Sequence, residues 1–139
     1  MLADTTIQIS KLHDIAHFGI RAVIGTIFIV HGSGKFNPGF MGFLNQIGIP
    51  VEMQFPIAFA EFVSGILLIS GVLTRISASI LSIVMLGAIF HVKHAANFTG
   101  QGGYEFELLI LASVLFIIVA GPGRVSISHV IKKIPRFLQ

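Results

Sequence analysis

Apolar residues fill four long stretches of the chain and polar residues collect between them, a pattern that predicts four helices and their connections. The stretch with the clearest bounds is Pro56 to Arg75, PIAFAEFVSGILLISGVLTR. At ~1.5 Å rise per residue, a helix of about twenty residues crosses the ~30 Å hydrocarbon core of a bilayer. Pro56 suits a first helical turn, where its missing N–H is not needed, and Thr74-Arg75 closes the far end with a polar residue and a cation. The four helices are read at residues 15–34, 56–74, 76–94 and 104–120, and Gly121-Pro122-Gly123 ends the last. In the first, Arg21, Gly25, Phe28, Gly32 and Lys35 recur at helical spacing, a small and polar stripe expected to face other helices. Ala78 and Ser82 form a small-xxx-small pair in the third.

The segments between and beyond these helices are not ordinary loops. Residues 1–14 mix polar residues with Ile and Leu and read as an interfacial arm. Residues 36–55, FNPGFMGFLNQIGIPVEMQF, carry an apolar face of Phe, Met, Leu and Ile, which predicts an interfacial or re-entrant helix between helices one and two. The tail, residues 124–139, alternates Lys and Arg with apolar residues, as expected of a segment resting on anionic headgroups.

Composition fixes the class. With 54% apolar and only 11% charged residues in 139, the chain reads as all-α, an integral membrane four-helix bundle over residues 15–123. Arg21 within the first apolar stretch, with no small-residue cleavage site after it, argues for a membrane helix rather than a signal peptide. The formal charge of +3 is small and lopsided, which points to membrane orientation and away from nucleic acid. The absence of Cys excludes thiol redox chemistry, thiolate metal sites and iron–sulfur ligation.

Four crossings place both termini and the turn between helices two and three on one side. Lys11, Arg21, Arg75, Arg124, Lys132, Lys133 and Arg136 fall there, against Lys35 and Lys93 opposite, which predicts a multi-pass cell-membrane protein with cytoplasmic termini. The opposite end receives His31, Lys35, Glu61, His91, Lys93, His94, Glu105 and Glu107, from all four helices. Glu61 lies roughly 7–8 Å inside its helix, where an ionisable group is costly and must face protein, water or a ligand. Glu105 and Glu107 differ by about 200° around a helix, so only one points fully inward.

Such a cluster could bind and protonate a quinone, hold a metal, or simply form ion pairs with Lys35 and Lys93. His31 and His91 could serve as axial ligands to a haem, but their spacing is not diagnostic, and a di-metal bundle's Glu-x-x-His pairs are absent; haem and metal are therefore disfavoured. His13 and His17, beside Asp14, read as a solvated face, and Arg21, Arg75 and Arg124 as structural cations that snorkel to phosphates. Gly32-Ser-Gly-Lys35 lacks the upstream Gly and following Ser or Thr of a phosphate loop.

One ordered set of residues covers most of the chain from about Arg21 to Ser128. It comprises His31-Gly32-x-x-Lys35, Glu61 followed by Gly65-Ile-Leu-Leu and Gly71-x-x-Thr74-Arg75, then Gly103-Tyr104-Glu105, and Gly121-Pro122-Gly123-Arg124-x-Ser126. In these motifs the chain resembles the DoxX family of small prokaryotic membrane proteins. The resemblance implies four membrane helices, association with membrane oxidoreductase systems, and importance for His31, Lys35, Glu61, Arg75, Glu105 and Arg124. It is the reason Glu105 rather than Glu107 is expected to point inward. Ser128 stands where members commonly carry Asp, which argues against a role for an acid there.

The expected function is a quinone-associated subunit of a membrane oxidoreductase system. Glu61, Glu105 and His31 would be the catalytic groups, exchanging protons with a quinone headgroup held by His31, Lys35, Glu61, His91 and Glu105, while a redox-enzyme partner supplies electrons. Two rivals use the same features. A non-enzymatic scaffold would dock a redox or detoxification enzyme. A small-solute or proton-coupled transporter would need four-helix units to associate, and the sequence is compatible with a homo-oligomer.

Overall fold

A computed structural model describes residues 11–131, 135 and 137–139; residues 1–10 of the predicted arm and Lys132, Lys133 and Arg136 of the predicted basic tail lie outside them, and arm residues 11–14 form the first turn of the first helix instead. Among the described residues the secondary structure is all helical. α1 spans Lys11–Gly34, α2 Gly39–Gln46, α3 Gln54–Ser70, α4 Thr74–Gly87, α5 Glu105–Ala120 and α6 Ile127–Val130. A 3-10 turn, Val51–Met53, leads into α3, and α4 continues as a π-helical turn, Ala88–Val92. α2 is the helix predicted between the first two long ones.

The boundary between α3 and α4 differs from the sequence reading. Gly71, at φ 72°, takes the left-handed conformation that glycine adopts without a Cβ penalty, and its N–H donates to Leu67 O at 2.9 Å. This stops the second long helix at Ser70. Thr74 and Arg75 therefore open α4 instead of closing α3.

The long helices run antiparallel in sequence, with α1 packed chiefly on α3, α4 on α5, and the α3–α4 contact joining the two pairs. Two glycines bring α1 and α3 close. A Cβ added to Gly25 would lie 2.6 Å from Gly65 O, and one added to Gly65 would lie 2.6 Å from Gly25 O. Gly32 meets Phe62 N in the same way, at 2.6 Å. The stripe Arg21, Gly25, Phe28, Gly32 is buried, as its spacing implied. Ile24, Phe28, Leu68, Ala78, Leu81, Met85, Ile110, Val114 and Ile117 complete the core.

Outside that core the bundle is apolar on its exterior, with Val23, Val30, Phe59, Ile83, Leu109 and Val119 all exposed. Water would penalise so much exposed apolar surface, whereas lipid tails cover it. Lys11–Gly34, Val51–Ser70 and Thr74–Val92 are long and apolar enough to cross a membrane. α5, with 16 residues or ~24 Å, is shorter. It nevertheless matches α4 end to end: Glu107 pairs with Lys93 beyond the π turn, and Gly121 lies against Arg75 in the first turn of α4.

Candidate functional site

At one end of the bundle the four long helices diverge around a cavity of about 640 Å³. α2 lies across it, supplying Phe40, Phe43 and the buried Leu44. Phe28, Phe106 and Ile110 add to an apolar wall. The polar groups that line it are His31, Lys35, Glu61, His91, Lys93 and Glu107, drawn from every long helix or its terminus.

Glu61 is 2% exposed and pairs directly with Lys35. A buried carboxylate needs such a partner, since neither lipid nor core side chains solvate it. The position of Lys35 is itself fixed from behind. Gln54, also buried, donates through Nε2 to Lys35 O and to Asn37 O, both at 3.0 Å, and so takes up carbonyls that the end of α1 leaves open. The Lys35 ammonium also stands 5.6 Å from the Phe40 ring centroid, which couples the ion pair to α2.

A second ion pair also lines the cavity. Lys93 Nζ lies 2.8 Å from Glu107 Oε1 and donates to Gly103 O at 2.7 Å. The π turn that precedes Lys93 inserts an extra residue per turn, and His94 and Ala95 follow in the left-handed region at φ 53° and 49°. π turns and consecutive non-glycine residues of positive φ are both costly, and both concentrate at functional sites. Their result here is that His91 and Lys93 reach the cavity while His94 points away, exposed.

His91 Nε2 lies 2.9 Å from Ile47 O. A carbonyl only accepts, so Nε2 carries the proton, and this bond ties the π turn to the end of α2. His31 stands one turn before Lys35 with its ring 6.4 Å from that of Phe106.

Of the residues expected here, His31, Lys35, Glu61 and His91 line the cavity. Glu105 does not, and the expectation that it is the inward carboxylate is corrected: it is exposed, and Glu107 takes that place. The reason lies in the face that α5 buries. Ile110, Val114 and Ile117 are its buried residues, and Glu107 precedes them at the same three-and-four spacing, whereas Glu105 is turned about 200° from it. Lys93 takes the ion-pairing part expected of it, whereas Gln54 is a site residue that the sequence reading does not single out. The helical phase of Glu107 against a 110–114–117 stripe could have signalled it, but α5 is apolar on every face, so no stripe stands out from sequence. His17 is corrected too: it is buried, with Gly123 packed directly on its ring, and not on a solvated face.

The DoxX family model matches residues 16–94, more than half of the chain and three of the helices that form the cavity. The chain belongs to the DoxX family. CatD of Bacillus subtilis, which bears the name of a candidate oxidoreductase, is 34% identical over 114 residues, 81% of this chain and 84% of CatD. Membrane protein Rv3486 of Mycobacterium tuberculosis is 33% identical over 130 residues, 82% of this chain and 80% of that one. Inner membrane protein YqjF of Escherichia coli is 27% identical over 127 residues, 88% and 97% of the two chains. No solved structure matches. The family, its membrane relatives and the apolar helices together make this a membrane protein. His31, Lys35 and Glu61 lie inside the matched DoxX region, while Glu107 lies beyond it.

Proposed function

We propose that the chain is a quinone-associated subunit of a membrane oxidoreductase system, and that the cavity holds the quinone headgroup. The observation that carries this is the composition of the cavity: an aromatic, apolar wall able to take a flat ring, with two Lys–Glu pairs and two imidazoles around it. The name of CatD supports the redox class. A quinone bound there would supply a two-electron, two-proton couple.

The residues of the chain have definite parts in this reading. The ring nitrogens of His31 hydrogen-bond a headgroup oxygen. Glu61 and Glu107 hold and pass protons, each kept in place by its lysine. α2 closes the cavity from the membrane surface, and the bond between His91 and Ile47 O holds that closure. Electrons come from a partner enzyme. The termini are cytoplasmic, because Lys11, Arg21, Arg75 and Arg124 gather at the end opposite the cavity while Lys35 and Lys93 at the cavity end are both paired.

The test is the quinone content of gently purified protein, by solvent extraction and mass spectrometry, in wild type and Glu61→Gln. Near-equimolar quinone that falls in the folded variant is the expected result. Quinone at the level of bulk lipid in both proteins would refute the reading and leave a scaffold role to be tested by capture of partner enzymes.

A further inference from the structure

The cavity is covered at its end and thinly walled at one side. α2 lies across the end, held by the bond from His91 Nε2 to Ile47 O. Of the helix contacts that close the bundle into a ring, that of α1 with α5 is the slightest. Where this seam reaches the cavity, the wall is made by His31 of α1 and Phe106 of α5, their rings 6.4 Å apart. Both residues line the cavity and both are exposed, so the wall at the seam is a single layer of side chains.

The rest of the seam is built differently. At the far end the buried His17 meets Phe116, with ring centroids 6.0 Å apart, and between the two ends Ile24 and Phe28 share a core with Ile110 and Val114. Phe106 and Phe116 both touch α1, and Leu109 lies three residues after the first and seven before the second, so helical phase puts it on the same face of α5. Leu109 is nevertheless 67% exposed. α1 therefore leaves that face uncovered, and the outside of the seam is an apolar groove that runs from the His31–Phe106 wall past Leu109. Ile20 and Ile27 hold the matching positions on α1, between His17 and His31, and Ile27 also lines the cavity.

The groove lies along helices that cross the bilayer, so hydrocarbon and not water surrounds it. A cavity of about 640 Å³ has the size that encloses a compact, drug-sized ligand, and a long chain attached to a bound ring must leave it. We propose that the ligand is a membrane-dissolved quinone with a hydrocarbon tail, that it enters from the bilayer through the α1–α5 seam, and that its tail lies in the groove along Leu109. Phe106 is the moving part of the wall: an exposed side chain in the first turn of α5 can rotate aside without any shift of a helix. This inference rests on the reading of the cavity as a quinone-headgroup site, and adds to it the route of entry and the class of ligand.

The chain contains no tryptophan, so Leu109→Trp in the groove and Ile83→Trp on an exposed face of α4 each introduce a single reporter that quinones quench on contact. Phe106→Trp, an aromatic-for-aromatic change at the wall, is the second reporter of the seam. The full chain is placed in phosphatidylcholine nanodiscs and titrated with decylubiquinone or with the same ring lacking the tail, and the quinone retained per chain is measured beside the quenching. Quenching by decylubiquinone should saturate near one equivalent at residues 109 and 106, and at residue 83 should only rise in proportion to the quinone dissolved in the bilayer. Phe106→Ala should load decylubiquinone about fivefold faster than wild type, and an unchanged rate would remove Phe106 as the gate. Retention of the quinones with the same unsaturated quenching at residues 109, 106 and 83 would leave the cavity reading standing and overturn the entrance, the groove then being filled by lipid acyl chains. Retention of neither quinone above the lipid level would overturn the cavity reading and the entrance with it.

Discussion

Replacing Glu107 with Gln and, separately, Glu105 with Gln distinguishes the two carboxylates of the first turn of α5. Glu107 is 15% exposed and sits 2.8 Å from Lys93, which is 25% exposed; Glu105 is exposed and has no ion pair among the described contacts. A hydrogen bond between charged groups contributes ~1.5–3 kcal/mol, and partial exposure of both partners reduces this to roughly 1–2 kcal/mol here. Glu107→Gln therefore costs about 1–2 kcal/mol, and Glu105→Gln stays within about 0.5 kcal/mol of wild type. Lys93→Met costs more than Glu107→Gln, because the ammonium also holds Gly103 O at 2.7 Å and that bond is lost as well.

The assay is reversible unfolding in mixed micelles with a double-mutant cycle on Lys93→Met and Glu107→Gln. The two changes should couple by about 1 kcal/mol or more. Additivity to within ~0.3–0.5 kcal/mol would show that the pair does not act as one unit. A cost for Glu105→Gln equal to that for Glu107→Gln would refute the assignment of the inward carboxylate.

Three further outcomes follow from the same structure. Gly25→Ala drives a methyl to 2.6 Å from Gly65 O and should destabilise by about 1–3 kcal/mol, whereas Gly19→Ala, with nothing within 4 Å, should gain up to ~1 kcal/mol; equal effects would contradict the close α1–α3 contact. His91→Ala removes the bond to Ile47 O, and hydrogen exchange over residues 39–46 should accelerate about fivefold, as expected for one lost hydrogen bond of ~1 kcal/mol; unchanged exchange would mean that α2 is held by packing alone. Single cysteines at Leu12 and Asn37, introduced into a chain that has none, should be labelled by an impermeant maleimide in intact cells at residue 37 only; labelling at residue 12 instead would invert the proposed orientation.

Much of this architecture is legible in sequence because bilayer thickness and helical rise leave few choices for apolar runs of this length. The buried stripe of α1 and the convergence of His31, Lys35, Glu61 and His91 followed from helical phase and the cost of an intramembrane carboxylate. The missed features depend on irregular backbone. The end of α3 turns on the conformation of Gly71, and the entry of Lys93 into the cavity depends on a π turn that helical counting does not contain. Glu107 was hidden for a different reason. A helix apolar on all sides has no preferred face until its neighbours are placed, and only then does the Ile110–Val114–Ile117 row identify its inward carboxylate.

The two ends of the bundle handle buried charge in opposite ways. At the cavity end, each lysine is matched by a glutamate, so the site carries little net charge and suits a neutral ring that gains and loses protons. At the other end, Arg21 donates to Val125 O and stands 5.5 Å from the Phe18 ring centroid, and Arg75 lies against the carboxyl end of α5 at Gly121. A chain that needed only to anchor itself could place those cations at the surface, where snorkelling into the headgroups costs little. Burying Arg21 instead ties the start of α1 to the Val125 carbonyl and to the turn at Gly71, so its desolvation is offset by what it fixes at that end of the bundle.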